Sequence, residues 1–335
     1  MGRPNLTFFC ELETDALQAL FAERAVMGDL ATLGASISLG ILDLSPERAV
    51  VVRRLNQADI PVIAWQLLPK SQGYWYNARN ASQATARYLA FKAWTAEHAL
   101  HWTGIGIDIE VDIREIQQLL LNKWRLLPTI LRRTFDSERL RRAQAEYSAL
   151  IQQMRADGYR VDSYLLPWML DERAAGSTLL QRIGGLVDVP TDREVPMLYT
   201  SFMRPCGPGM VWSYAQDAQS VGLGSTGGGI YLEGMPDIHP LDWSEFSRDL
   251  RLARRWTNDI HVFSLEGCVQ QGFLARLKDF DWDQPITPPL EMAEQVERFR
   301  KMLRVGLWAS AHPFAVFGGM IGALWLFSRL RRSRR

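Results

Sequence analysis

Eight short apolar runs alternate with helical stretches along the first 283 residues, and this recurrence constrains the fold more than any other feature of the chain. The predicted strands are Leu6 to Glu11, Ser36 to Leu42, Val62 to Leu67, Gly104 to Ile109, Arg160 to Leu165, Val195 to Ser201, Ser220 to Gly224 and Ile260 to Leu265. Helical patterns fit between them, among them Asp15 to Met27, Pro46 to Gln57, Ser82 to His98 and Trp243 to Thr257. Eight such units predict a closed (β/α)8, TIM-type barrel rather than an open nucleotide-binding sheet, because no glycine-rich phosphate loop follows the first strand. The glycine-rich run Gly222 to Gly229 comes late and precedes no clear helix, so it reads as a loop.

Within this pattern, Gly104 to Glu110 alternates isoleucine with Gly, Asp and Glu at period two. A strand then carries Ile105, Ile107 and Ile109 on one face and Gly106, Asp108 and Glu110 on the other. Two acids on one face are costly to bury unless a polar site or a ligand satisfies them. Barrel active sites lie at the carboxyl ends of the strands, so the strand-end acids and aromatics form the candidate set. The acids are Glu11, Glu13, Asp43, Asp108, Glu110 and Glu266, and Tyr164 and Tyr199 stand beside them. Trp65, Tyr74, Trp75, Tyr76, Trp168, Trp212 and Tyr214 supply flat rings. Rings around an acidic pocket suit the apolar faces of sugars, whereas a phosphate substrate would call for Arg, Lys or a metal. Of these, Trp65, Trp75, Tyr164, Trp168, Glu266 and Glu11 are expected to bind substrate. Cys10, Cys206 and Cys268 lack metal or disulfide spacing, and the histidines are scattered, so buried thiols, no metal site and no cofactor are expected.

The Asp108-Ile-Glu110 strand end resembles the tail of the acidic strand-four motif of chitinase-like family 18 glycoside hydrolases, and Met197-Leu-Tyr199 is similar to that family's Met-x-Tyr. The resemblance implies a barrel in which Glu110 protonates the leaving oxygen, Asp108 orients the substrate's acetamido group and Tyr199 supports the intermediate. Thr103, Gly106 and Thr200 stand where the family carries further acids. Lysozyme-like family 25 barrels share the Asp-x-Glu feature. Apart from the resemblance, residues i and i+2 of a strand lie roughly 6.6 Å apart at the backbone. Mutual repulsion would keep Glu110 protonated while Asp108 stays ionised.

Charge divides the chain unevenly. Residues 298 to 335 hold nine of the 38 Lys and Arg and none of the 37 Asp and Glu, which leaves the rest at 29 minus 37, or −8. An acidic body with a basic tail argues against nucleic acid and for anionic lipid headgroups. From Val305 to Ser328, 24 residues carry no Asp, Glu, Lys or Arg, long enough for one transmembrane helix with Trp308 and Trp325 near its ends. The predicted organisation is therefore a barrel over 1–283, a linker and juxtamembrane helix over 284–304, a span over 305–328 and a basic tail over 329–335. Gly318-x-x-x-Gly322 would let two such helices approach as a homodimer. Positive charges flank the span almost equally, and with no secretory signal at the start the barrel is expected on the cytoplasmic side. Ile113 to Thr134 reads as a basic amphipathic segment, an ordinary barrel helix before an interfacial one.

These readings converge on a membrane-anchored hydrolase cleaving a glycosidic bond in a carbohydrate or lipid-linked sugar, by general acid catalysis from Glu110. A non-catalytic glycan- or glycolipid-binding barrel is the alternative that the missing acids suggest. A metal-dependent phosphodiesterase built on Glu11, Glu13, Asp108 and Glu110 ranks third.

Overall fold

A computed structural model describes residues 2–122, 127–230, 234, 238–315 and 318. Eight parallel strands close into a barrel in chain order: β1 (Asn5–Cys10), β2 (Ser36–Ile41), β3 (Val62–Gln66), β4 (Gly104–Asp108), β5 (Val161–Leu165), β6 (Arg193–Tyr199), β7 (Val221–Gly224) and β8 (Asp259–Phe263). Each strand pairs with the next, and β8 returns to β1 with Phe8 opposite Val262, so no edge is left unpaired. Every predicted strand is present, shifted by no more than two residues at either end.

Alternation along each strand sorts the side chains into two cores. Outward-facing Phe8, Ile37, Leu39, Ile105, Ile107 and Val262 join the surrounding helices in one large apolar cluster. Inward-facing Phe9, Trp65, Tyr164 and Met197 form a second cluster inside the barrel. The rings of Phe9, Trp65 and Tyr164 meet edge to face, with Phe9 and Tyr164 centroids 4.6 Å apart. Such volume fits only because small residues lie opposite. A Cβ at Gly106 would lie 2.3 Å from the Tyr164 hydroxyl, which instead bonds Ser38 Oγ at 2.6 Å. Beneath this layer Arg193 bridges Asp162 and Asp259, each at 2.5 Å, and ties β5, β6 and β8 at the amino-terminal end of the barrel.

Two regions depart from the expected organisation. The segment Ile113 to Thr134 forms two helices, Ile113–Asn122 and Leu127–Thr134, with 123–126 outside the described residues. Its basic face is not simply solvated, because Arg133 is buried against Glu115 at 2.5 Å while Leu119, Leu121 and Leu131 are exposed.

Near the carboxyl end, the predicted juxtamembrane helix runs through Arg304 to Ala311 as one helix, Leu290–Ala311, and packs on the barrel. It lies against the helix Gly207–Ala215 so closely that a Cβ at Gly209 would fall 2.6 Å from the Met292 backbone. Arg300 is buried there, donating to Asp171 at 3.0 Å, Asp217 at 2.6 Å and the Ser213 carbonyl at 2.8 Å. Leu307 is buried too, so the first residues of the predicted span belong to a helix seated on the barrel. No helix among the described residues is long and apolar enough to cross a membrane. Half of the predicted span and the whole basic tail lie outside the described residues.

Candidate active site

The carboxyl-terminal ends of the strands surround a cavity of about 220 Å³, lined by Glu11, Asp108, Glu110, Trp65, Trp75 and Tyr199 together with Phe263 at the end of β8, Ile116 after β4 and residues from the loops after β6 and β7. Asp108 closes β4, and the chain beyond it stays extended because the loop after β3 pairs with it. Tyr76 N donates to the Asp108 carbonyl at 2.9 Å, and Glu110 N donates to the Tyr76 carbonyl at 3.1 Å. Ile109 bridges Tyr76 and turns outward into the apolar core, so Asp108 and Glu110 turn together toward the barrel axis. The predicted alternation therefore continues one residue pair past the end of the strand itself.

Asp108 is only 2% exposed and Glu110 is half-buried. Burial, then the neighbouring Glu110 and Glu11, raise the Asp108 carboxyl well above its ordinary range. Burial pushes Glu110 up to about 7, against the pull of its contact with Asp108. No Lys, Arg or His stands among the described residues that line the cavity beside them. Two close carboxyls with no counter-charge hold one proton between them near neutrality, the arrangement that separates a proton donor from an ionised partner.

A second acidic pair lies across the cavity. Tyr74, from the loop after β3, donates its hydroxyl to Glu11 Oε1 at the end of β1. Tyr74 holds a left-handed backbone with φ 65°, a conformation that costs a non-glycine residue of order 1–3 kcal/mol and accumulates at functional sites. Burial raises Glu11 to about 8, with the Tyr74 hydrogen bond pulling it down and Glu266 and Glu110 pushing it further up. Glu266, in the first turn of the helix Leu265–Gln270 that follows β8, stands behind Glu11, accepts its backbone N–H at 3.4 Å and is raised to about 7 by burial. Its Oε2 meets no partner in good hydrogen-bond geometry among the described residues, although the Ser264 hydroxyl and the Cys10 thiol lie near the carboxyl and pull it down. Tyr199 lines the cavity beside Phe263, its hydroxyl pushed up by burial and then by Asp108, Glu110 and Glu11.

Not all of the predicted residues gather here. Tyr164 is wholly buried below the cavity, bonded to Ser38, and Trp168 opens the helix Trp168–Ala174 without lining the cavity. Asp43 is taken up elsewhere: partial burial raises it, but hydrogen bonds from Arg48, Ser45 and Thr14 hold its carboxyl below the usual range. Glu13 is exposed and lies outside the lining. Cys10 and Cys268 are buried as expected, whereas Cys206 is only half-buried. Among the described residues no group of three or more His, Cys, Asp or Glu is arranged to hold a metal.

Sequence reasoning missed Ile116, Phe202, Phe263 and the glycine loop, all of which line the cavity. Gly228 and Gly229 have φ of 79° and 87°, and they let the loop pass against the acids. A Cβ at Gly228 would fall 2.6 Å from Glu266 Oε1, and one at Gly229 would fall 2.8 Å from the Phe263 ring. The signal was present as a run of glycines directly after β7, where a barrel puts its catalytic loops.

Fold and site together define a closed (β/α)8 barrel with an acidic, aromatic-lined cavity at its carboxyl-terminal rim. No protein-family model and no curated protein sequence matches the chain. Among solved structures it is distantly similar to a GH18 chitinase from Pseudoalteromonas aurantia, with TM-score 0.43 and 8% identity over 83% of this chain and 100% of that one. D-allulose 3-epimerase from Methylomonas sp. gives TM-score 0.41 and 10% identity over 90% and 99%. A family 2 AP endonuclease from Brucella melitensis gives 0.42 and 12% over 81% and 98%.

Proposed function

We propose that the chain is a glycoside hydrolase in which Glu110 protonates the leaving oxygen, Asp108 stabilises positive charge as it develops on the sugar, and Tyr199 holds the intermediate. The observation that carries this reading is the buried Asp108 and Glu110 pair, opening with no counter-cation into a cavity walled by Trp65, Trp75, Tyr199 and Phe263. General acid catalysis needs a group whose pKa lies near working pH, and burial brings Glu110 there. Neither Trp65 Nε1 nor Asp108 Oδ1 meets a protein partner in good hydrogen-bond geometry. A sugar hydroxyl accepting from the first and donating to the second would satisfy both.

The substrate is a carbohydrate or a lipid-linked sugar, and the part of the apolar stretch 305–328 that lies beyond the barrel-seated helix ending at Ala311 is proposed to anchor the protein in a membrane, with the barrel on the cytoplasmic side. A non-catalytic glycan-binding barrel is the second reading, favoured by the positions the resemblance would fill with acids. Thr103 bonds the Val62 carbonyl, Gly106 makes room for Tyr164, and Thr200 bonds Asp249.

Purified full-length chain tested on a panel of aryl glycosides separates the two. Hydrolysis that Glu110→Gln abolishes, with the circular dichroism spectrum unchanged, supports catalysis. Glycan binding without turnover supports the second reading, and turnover unaffected by Glu110→Gln overturns the assignment of the acid.

A further inference from the structure

We propose that the cavity is built for a ring carrying a protonated amine, an amino sugar whose nitrogen is unacylated, and that Glu11 is the carboxylate that receives the ammonium group. The inference deepens the reading of this cavity as a sugar site and rests on it.

Three carboxylates, Glu11, Asp108 and Glu110, share the cavity wall, and among its described lining residues there is no Lys, Arg or His. Glu266 adds a fourth acid directly behind Glu11. Repulsion within such a set is relieved by a bound cation more than by any neutral group. Asp108 gives a separate sign that something is missing: it is 2% exposed, it borders the cavity, and its Oδ1 meets no partner in good hydrogen-bond geometry among the described residues, although Trp65 and Glu110 lie close by. The walls point the same way, since Trp65, Tyr199 and Phe263 present π-systems, which attract cations.

Glu11 has no part in the acid catalysis assigned to Glu110, yet it is held in place. Tyr74 takes Oε1, which leaves Oε2 for a ligand. Beside Oε2 lies Gly229, where even a Cβ would reach within 3.5 Å of that oxygen. The glycine keeps the approach to Oε2 clear. An ammonium group can donate three hydrogen bonds there and cancel a charge, whereas an acetamide carries a neutral N–H and a methyl group that gain nothing from four acids.

Ammonium binding favours the ionised carboxylate and so expels a proton from it. The groups facing Glu11 are Tyr74 and Lys70 from the loop after β3, Glu110 after β4 and Glu266 after β8. Burial and the two acids outweigh Tyr74 and Lys70, leaving Glu11 mostly protonated at pH 7 until a cation arrives.

Titration calorimetry of the full-length protein at pH 7 with the methyl glycosides of glucosamine, N-acetylglucosamine and glucose tests the inference. The glucosaminide is expected to bind at least about tenfold more tightly than the other two, roughly the worth of one charge-assisted hydrogen bond. Its binding heat should vary with buffer ionisation enthalpy as protons are released. Glu11→Gln should cut the amine-to-neutral ratio about tenfold. If that variant does not fold, Tyr74→Phe serves in its place: removing the donor raises the Glu11 pKa, so proton release at pH 8 must increase. Equal or tighter binding of the acetylated or neutral sugar, binding of none of the three, a ratio unchanged in Glu11→Gln, or unaltered proton release in Tyr74→Phe would each overturn it. Hydrolysis of neutral glycosides without amine preference defeats this inference and leaves the hydrolase reading standing. Preferential amine binding with no turnover of any glycoside does the reverse.

Discussion

Tyr74 reaches from the loop after β3 to donate its phenol to Glu11 at the end of β1, joining two strands that are not neighbours in the barrel. The hydrogen bond stabilises the ionised carboxylate and opposes the burial that raises it to about 8. Tyr74→Phe is therefore expected to move the Glu11 pKa higher still, with the fold retained. Carbon-13 NMR titration of the Glu11 carboxyl reads this directly, and a pKa that stays put or falls would show that the bond does not govern the group.

The pH dependence of hydrolysis follows from Glu110. As a general acid it works only while protonated, and its pKa is raised from its ordinary value to about 7, so activity is full below that pH and lost as pH rises through it. The alkaline limb of kcat/KM should fall at about 7. Because Asp108 and Glu110 titrate together, that limb belongs to the pair, and Asp108→Asn should move it upward by weakening the contact that pulls Glu110 down. A limb unmoved in Asp108→Asn would separate the two residues.

Stability should respond to pH in the opposite sense from that of most proteins. Glu11, Glu110 and Glu266 have folded-state pKa values raised to between about 7 and about 8, so the folded chain holds protons that the unfolded chain releases above its ordinary carboxyl pKa. Stability contributed by these groups falls as pH climbs from about 5 to about 8. Buried His261, held neutral in the fold, adds the opposite trend up to its ordinary value of 6.5, so urea midpoints should decline above that pH, and Glu11→Gln should flatten the slope.

Gly106 shows how far the packing inside the barrel depends on one missing methyl group. A Cβ there would lie 2.3 Å from Tyr164 Oη, so Gly106→Ala must displace the ring and break its bond to Ser38. A loss of about 1 to 3 kcal/mol is expected from overpacking. Gly28→Ala, in the helix Arg24–Leu33 with open space around it, serves as the control and should match or exceed the parent in a denaturant melt.

Arg300 anchors the carboxyl-terminal helix. Its removal leaves Asp171, wholly buried, with only Arg304 and the Tyr214 hydroxyl as side-chain partners. Arg300→Ala should cost about 3 kcal/mol, the low end for breaking a buried ion pair, because Arg304 remains. Protease cleavage within Leu290–Ala311 should accelerate in step with the lost stability.

The barrel could be read in the sequence because its information is local. Each strand alternates or runs apolar over four to seven residues, and several helices announce themselves with a period or a cap, as Ser45 and Pro46 do before the helix Pro46–Gln57. Asp108 and Glu110 were visible for the same reason, since period two places them together whatever the rest of the chain does. What stayed hidden depends on closure. Phe263 and the glycine loop reach Glu11 only once β8 pairs with β1, and nothing in either segment alone shows that meeting. Asp43 had the same strand-end signature as Glu11, but Arg48 five residues on captures it. Tyr164 sits at the carboxyl end of its strand yet points into the layer below the cavity, a difference of one level in the barrel that strand ends do not reveal. The carboxyl-terminal helix read as a juxtamembrane lead into the span, and only packing shows Arg300 surrounded by acceptors on the barrel.

The account turns on Glu110 as the proton donor, and leaving-group dependence tests that most directly. Glu110→Gln should lose about 10²- to 10⁴-fold in kcat/KM on phenyl glycosides, whose leaving group needs a proton, and far less on dinitrophenyl glycosides, whose leaving group departs unaided. Equal losses on both series, or none on either, would contradict the assignment.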